Sequence, residues 1–282
     1  MKDFEYLQPT TIQEACSMLS EHGSEAKVMA GGVSLLTLMK QKLVQPKYVV
    51  SLDGIPNLRY INLDNGGLRI GALTTHRAIE KSASLAEKWP ILTEMASNIG
   101  SVQVRNLGTL GGNICHAEPA SDPPAVLVAL DAAVKLVSSS GEKVVPMEEF
   151  LVDFYETAIS SEEILTEIQI AEQAPGTRGA YIKFNPRSAM DLPVVVVVAF
   201  VVPGKGAVKD VRIGLGAVSP RAIRARRSEE VLKSKGLTEE AIKEAGQLAS
   251  EDIDPVSDIR GSADYRREVT KVLVARALNR IK

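Results

Sequence analysis

At Ala174-Pro175-Gly176-Thr177 the chain changes texture, and that change limits what it can fold into. Before it, short strand-like runs alternate with helices and turns. After it, three strand-like runs come first (Tyr181 to Phe184, Val194 to Val202, Val208 to Val218). Three helices follow, at about Ile223 to Lys235, Thr238 to Leu248 and Tyr265 to Ile281. Strands grouped ahead of helices describe an α+β unit. We therefore read 174–177 as a linker, with one part over 1–175 and a second over 176–282; a chain of 282 residues can bury two such cores. The longest apolar run, Val194 to Val202, is strand length and far short of the roughly 18 residues of a membrane span. The N-terminus, MKDFEYLQPTTIQEA, lacks the pattern of a signal peptide, so the expectation is a cytoplasmic protein.

In the first part, Thr11 and Glu14 form a capping-box pattern for a helix to His22, with Ile12, Ala15, Cys16 and Leu19 on one face. A strand at Lys27 to Met29 enters Ala30-Gly31-Gly32-Val33-Ser34, and a helix at Leu35 to Lys42 leaves it. Strands are expected at Tyr48 to Leu52, Leu58 to Leu63 and Leu68 to Leu73, the last two joined by a hairpin at Asn65-Gly66. A helix over about Trp89 to Ile99 stops at Gly100, and Val102, Val104 and Leu107 lead into a second cluster, Gly108-Thr109-Leu110-Gly111-Gly112-Asn113. Another hairpin turns at Ser140-Gly141, and Ile164, Thr166, Ile168 and Ile170 alternate as a strand facing one core.

Glycines let a backbone turn tightly and bring its N–H groups close to a ligand, while a helix N-terminus favours negative charge. The first cluster therefore suits a pyrophosphate, with Ser34 adding a hydroxyl, and the second could grip the same group from the other side. The competing reading is a pair of plain turns. Neither cluster fits the dinucleotide or triphosphate fingerprint, and Gly214-Leu215-Gly216 reads as a strand crossing. With two cysteines and three histidines, the chain cannot readily build an iron–sulfur cluster or a zinc site, so any redox carrier is expected to be organic. A net charge of −2 argues against nucleic acid as a partner.

Taken in order, Ala30-Gly31-Gly32-Val33-Ser34-Leu35, Val104-Arg105-Asn106-Leu107-Gly108-Thr109-Leu110-Gly111-Gly112-Asn113, Pro119-Ala120-Ser121-Asp122 and Asp258-Ile259-Arg260-Gly261-Ser262-Ala263-Asp264-Tyr265-Arg266 resemble the FAD-binding medium subunit of molybdenum hydroxylases. That family includes carbon monoxide dehydrogenase and xanthine dehydrogenase-like enzymes, and the resemblance spans nearly the whole chain. It implies an α+β fold: a vanillyl-alcohol-oxidase-type (PCMH-type) FAD-binding domain with subdomains at about 1–56 and 57–175, then a C-terminal flavoprotein domain. It also implies noncovalent FAD, held by Lys27, Val28, Met29, Ala30, Gly31, Gly32, Val33, Ser34 and Leu35 on one side and by Thr109, Leu110, Gly111, Gly112 and Asn113 on the other.

By the same resemblance, Asp122 accepts hydrogen bonds from cofactor hydroxyls; its other reading is the N-cap of a helix from Pro123 to Leu130. Ile99 and Leu165 match apolar cofactor contacts, or are simply core. Lys183 matches a lysine near the flavin ring, where a cation would stabilise the reduced form; the alternative is a solvated strand lysine. Leu192 falls where an apolar side chain covers the ring. The family's basic pair around Arg187 is missing here, and Val33 replaces a common hydroxyl or imidazole. Cys115-His116 could be an activated nucleophile or a flavin tether, against a small apolar cysteine in a strand. His76 is read as capping the helix after it, and Arg221, Arg224, Arg226 and Arg227 as a solvated or subunit-contact surface.

The implied role is an electron-transfer subunit, with no catalytic or metal-binding residues of its own. The molybdenum cofactor would sit on a large partner subunit and the iron–sulfur clusters on a small one, with NAD, quinone or oxygen as terminal acceptor. The alternative is a self-contained flavin oxidase of the same fold.

Overall fold

A computed structural model describes residues 1–64, 66–185, 187, 190–204 and 208–282. Asn65 of the expected hairpin turn lies outside the described residues. The chain opens with β1 (Glu5–Leu7), α1 (Ile12–His22), β2 (Ala26–Met29), α2 (Val33–Lys40) and β3 (Tyr48–Ser51). These strands form a parallel sheet in the order β1-β3-β2, with β2 at the edge. Thr11 caps α1 by accepting the Glu14 N–H at 3.1 Å, and the Glu14 carboxylate reaches back chiefly to the N–H of Thr10. Ala15, Cys16 and Leu19 of α1 pack onto Val50, Leu52, Ile55 and Leu58 as the expected periodicity requires.

A second sheet, β4-β5-β10-β6-β7, is antiparallel throughout, and the elements between its strands supply the helices. In chain order these are β4 (Ile61–Asp64), β5 (Gly67–Gly71), α3 (His76–Lys81), α4 (Ala83–Lys88), α5 (Pro90–Ser97), α6 (Val102–Leu107), α7 (Leu110–His116), α8 (Asp122–Ala129), β6 (Ala133–Ser138), β7 (Gly141–Pro146), α9 (Met147–Phe150), β8 (Leu151–Asp153), β9 (Glu156–Thr157) and β10 (Ile164–Ile170). The single-core reading of β10 is corrected. A register shift between Leu165 and Glu167 buries both faces, so Ile164 joins the α1 core while Leu165, Ile168 and Ile170 join the helical one. The strand expected around Cys115 is also corrected: Ser101 and Thr109 cap two short helices, and Cys115 lies in α7.

The last part is an antiparallel sheet of β11 (Arg178–Phe184), β12 (Val195–Pro203), β13 (Val208–Gly216) and β14 (Ile223–Arg224), followed by α10 (Arg226–Lys235), α11 (Glu239–Glu251) and α12 (Ala263–Ile281). The helix expected from Ile223 starts at Arg226 because Ile223 and Arg224 pair with Leu215 and Gly214. Side chains alternate across a strand, and β12 uses both faces. Val196, Val198 and Phe200 join the core containing α5 and α8, whereas Val195, Val197, Ala199 and Val201 join the core under α11 and α12. The Gly214 crossing has a steric cause: a Cβ there would lie 2.2 Å from the Ala125 carbonyl oxygen of α8. No helix among the described residues is long and apolar enough to cross a membrane.

Candidate functional site

The two glycine turns meet. A Cβ on Gly31 would lie 1.7 Å from the Leu107 carbonyl oxygen, and one on Gly112 would lie 3.3 Å from the Ala30 Cβ. The β2–α2 turn is thus laid against the corner between α6 and α7, an approach open only to a residue without a side chain. Gly32 enters α2 at φ 73°, in the left-handed region that glycine adopts without strain.

The two turns differ in what they offer. Among the described residues, the N–H groups of Ala30, Gly31 and Gly32 and of the first turn of α2 (Val33, Ser34, Leu35) make no hydrogen bond, and no side chain caps that helix. Six backbone donors at a helix N-terminus form an anion-binding surface, and the Ser34 hydroxyl stands among them. In the second turn the protein uses most of its own donors. Leu110 N–H binds the Thr74 carbonyl and Gly111 N–H the Ala72 carbonyl, both at 2.9 Å, while Gly112 N–H binds Thr109 Oγ1 at 3.1 Å. These bonds staple α7 to the 72–76 segment, so the second turn has side-chain groups left to present. The Thr109 hydroxyl keeps its proton, and Asn113, whose Oδ1 accepts from Ser121 Oγ at 2.7 Å, keeps its amide N–H groups.

Further along, Asp122 is the first residue of α8 and Ser121 its N-cap, which corrects the capping alternative. Its carboxylate turns instead toward β11: Tyr181 donates its phenol to Oδ1 at 2.5 Å and Lys183 Nζ donates to Oδ2 at 3.0 Å. Lys183 Nζ also donates to the Asn98 carbonyl at the end of α5, at 2.7 Å. The Lys183 and Asp122 side chains are 4% and 5% exposed, which rules out the solvated alternative for Lys183. Each charge sits at the helix end that favours it, the carboxylate at the start of α8 and the ammonium at the end of α5. Burial pushes the Asp122 carboxyl above the usual carboxylate range, opposed by Lys183 and Tyr181.

Lys27 and Val28 are exposed on the edge strand β2, and Met29 and Leu35 are half-buried beside the first turn. Ile99 and Leu165 are buried in the helical core, whereas Leu192 is 40% exposed. Arg187 pairs with Asp191 at 3.4 Å; Pro186 and Ser188 lie outside the described residues. Burial pushes the Cys115 thiol up to about 12, so it is a protonated packing group rather than a nucleophile.

His76 does not cap α3; Thr75 does, accepting the Ala78 N–H at 3.1 Å. The imidazole is 2% exposed and packed against Gly108, with Nδ1 unpartnered among the described residues. Burial, and secondarily Arg105, lower its pKa to about 4 from 6.5. The fold therefore holds a neutral imidazole, and protons bind the unfolded chain first as pH falls. Stability is expected to drop by about 3 kcal/mol more between pH 6.5 and 4 in the wild type than in His76→Leu. Urea unfolding of both proteins across that window checks this, and parallel curves would refute it.

The arginine cluster is not one solvated surface. Arg224 is buried against Glu229, while Arg226 pairs with Glu148 and Arg227 with Glu251 and Asp252. In the 258–266 segment, buried Arg266 donates to the Val194 carbonyl at 2.6 Å, the Ala217 carbonyl at 2.8 Å and Asp258 at 2.7 Å. That motif therefore ties the start of α12 to the ends of β12 and β13. A cleft of about 780 Å³ lies elsewhere, lined by Glu148, Arg221 and Arg226 among others, and holds none of the expected site residues.

Comparisons with known proteins agree along the whole chain. Residues 2–172 match the family described as the FAD binding domain in molybdopterin dehydrogenase, and residues 180–281 match the carbon monoxide dehydrogenase flavoprotein C-terminal domain. The chain is 35% identical to the carbon monoxide dehydrogenase medium chain of Hydrogenophaga pseudoflava, covering 98% of this chain and 96% of that one. It is 33% identical to the glyceraldehyde dehydrogenase medium chain of Sulfolobus acidocaldarius, covering 99% and 98%. The solved carbon monoxide dehydrogenase from Hydrogenophaga pseudoflava, in a form lacking the Mo-pyranopterin moiety, superposes with a TM-score of 0.96 at 36% identity over 99% of this chain and 96% of that one.

Proposed function

This chain belongs to the family of FAD-binding subunits of molybdopterin dehydrogenases, and from that premise we propose that it relays electrons within a larger oxidoreductase. The chain is an oxidoreductase subunit of α+β fold, and FAD is its cofactor. We place the diphosphate at the β2–α2 turn, on the free N–H groups from Ala30 to Leu35 and the Ser34 hydroxyl, with Lys27, Val28 and Met29 along the entering strand. The second turn contributes Thr109 and Asn113 as side-chain donors, while Leu110, Gly111 and Gly112 shape the surface it rests on. Asp122, Lys183, Ile99, Leu165 and Leu192 complete the set, and the two oxygens of Asp122 each retain a lone pair for a cofactor hydroxyl.

The observation that carries this reading is the contact between the turns: the turn that holds six free donors is packed against the corner where α6 meets α7. A bound flavin would supply a carrier able to take electrons one at a time and to pass them on singly or in pairs. The chain's own part is to bind the cofactor, orient it and hold a cation at Lys183. Residues 1–175 would form the FAD-binding unit and 176–282 the flavoprotein unit, a division supported by the ranges of the two family matches. The partners would be a large molybdenum-cofactor subunit and a small iron–sulfur subunit, as the medium-chain names of the relatives support. NAD, quinone or oxygen would take the electrons, and a cytoplasmic location belongs to the same proposal. With two cysteines in the sequence against the four thiolates of an all-cysteine cluster, the iron–sulfur relay is assigned to the partner.

Titrating the purified chain with FAD is expected to give one site per chain, quenching flavin fluorescence. All the flavin should come free on acid denaturation. Absence of binding, or flavin retained on the denatured chain, would count against the proposal.

A further inference from the structure

We infer that Tyr181, which lies outside every motif, is the residue that positions the Lys183 ammonium: its phenol holds Oδ1 of Asp122 and so fixes Oδ2 as the lysine's anchor. The inference rests on the proposed placement of Lys183 beside the cofactor. Tyr181 and Lys183 are two residues apart on β11 and share the face turned toward α5 and α8. Tyr181 is 3% exposed, and its phenol reaches Asp122 at 2.5 Å. An ammonium has three N–H donors. Two are committed, to Asp122 Oδ2 at 3.0 Å and the Asn98 carbonyl at 2.7 Å, and the third remains for a bound cofactor.

Without the phenol, Oδ1 becomes a buried acceptor that has lost its side-chain donor. The carboxylate then either rotates, carrying the ammonium with it, or takes up a proton from solvent and releases the lysine. Burial already favours the protonated form, and the ammonium, the phenol and the backbone N–H of Asp122 itself oppose it. The charge of Glu94 of α5 also bears on Tyr181, and that of Arg280 of α12 bears on Glu94. Tyr181 is thus a positioning residue, acting through Asp122.

The test is a titration of the Asp122 carboxyl carbon by NMR in the full apo chain carrying labelled aspartate, with Asp122→Asn identifying the signal. Tyr181→Phe, which keeps the ring volume, is expected to raise the Asp122 midpoint by about one pH unit, a tenfold change in proton affinity. Fluorotyrosine placed at 181, a stronger donor of the same shape, should lower it. A role in packing alone would reduce thermal stability and leave the midpoint in place; midpoints that coincide in all three proteins overturn the inference. In the FAD-loaded chain, Tyr181→Phe should make the flavin potential more pH-dependent than wild type. If Lys183→Met leaves FAD affinity and potential unchanged while the Asp122 midpoint still moves with Tyr181, the placement of Lys183 beside the cofactor fails and the Tyr181–Asp122 coupling stands.

Discussion

Replacing Gly31 by valine is expected to weaken FAD binding at least about 100-fold, near 3 kcal/mol. The new Cβ would start 1.7 Å from the Leu107 carbonyl oxygen, in contact with backbone that cannot swing aside as a side chain would. The β2–α2 turn must retreat from the α6–α7 corner, and the donors it carries retreat with it. A displacement of about 1 Å in a positioned group can cost two orders of magnitude. Gly112→Ala should be milder, because its Cβ would meet the Thr109 hydroxyl at 2.8 Å and the Ala30 Cβ at 3.3 Å, and the Thr109 side chain can give way. Flavin fluorescence titration of wild type and both variants measures the series. A Gly31→Val protein that binds FAD as tightly as wild type would remove the basis for placing the diphosphate at this junction.

Glu229→Leu is expected to destabilise the chain by about 3–5 kcal/mol. Arg224 grips Glu229 with both arms of its guanidinium, Nε to Oε1 at 2.6 Å and Nη2 to Oε2 at 2.9 Å, and both side chains are 4% exposed. Glu229 also accepts the Ile213 N–H at 2.8 Å, so its loss strips a buried cation of its two-armed partner and leaves a strand donor unpaired at once. Asp131 remains as a partner for Arg224 but is 57% exposed, which places the effect toward the lower end of that range. Urea unfolding at neutral pH gives the number. Adding Arg224→Leu should recover much of the loss, since removing both charges removes the desolvation problem. A single variant as stable as wild type would show that solvent reaches Arg224.

Much of this was legible in the residues because local chemistry decided it. Thr11, Thr238 and Ser262 stand where caps were needed, and the helices begin just after them. The expected junction at 174–177 falls between β10 and β11. The segment from Val102 to Cys115 was harder, because branched residues and paired glycines argue against helix. Tertiary bonds overrode propensity there: Leu110 and Gly111 donate to Thr74 and Ala72, and a helix is what those bonds permit. The buried group of Asp122, Tyr181 and Lys183 joins elements far apart in the chain, so no spacing rule could announce it. Resemblance marked Asp122 and Lys183 individually, but their pairing and the part of Tyr181 came only from the folded geometry.

The two-faced use of β12 bears on how the protein comes apart. Its valines serve cores on opposite sides of one sheet, so neither core can be exposed without stripping a wall from the other. A fragment cut at the linker would carry α5 and α8 with their apolar flanks bare, a surface prone to self-association. Although sequence comparison divides the chain in two, the halves share a partition, and under heat or denaturant they are expected to yield together.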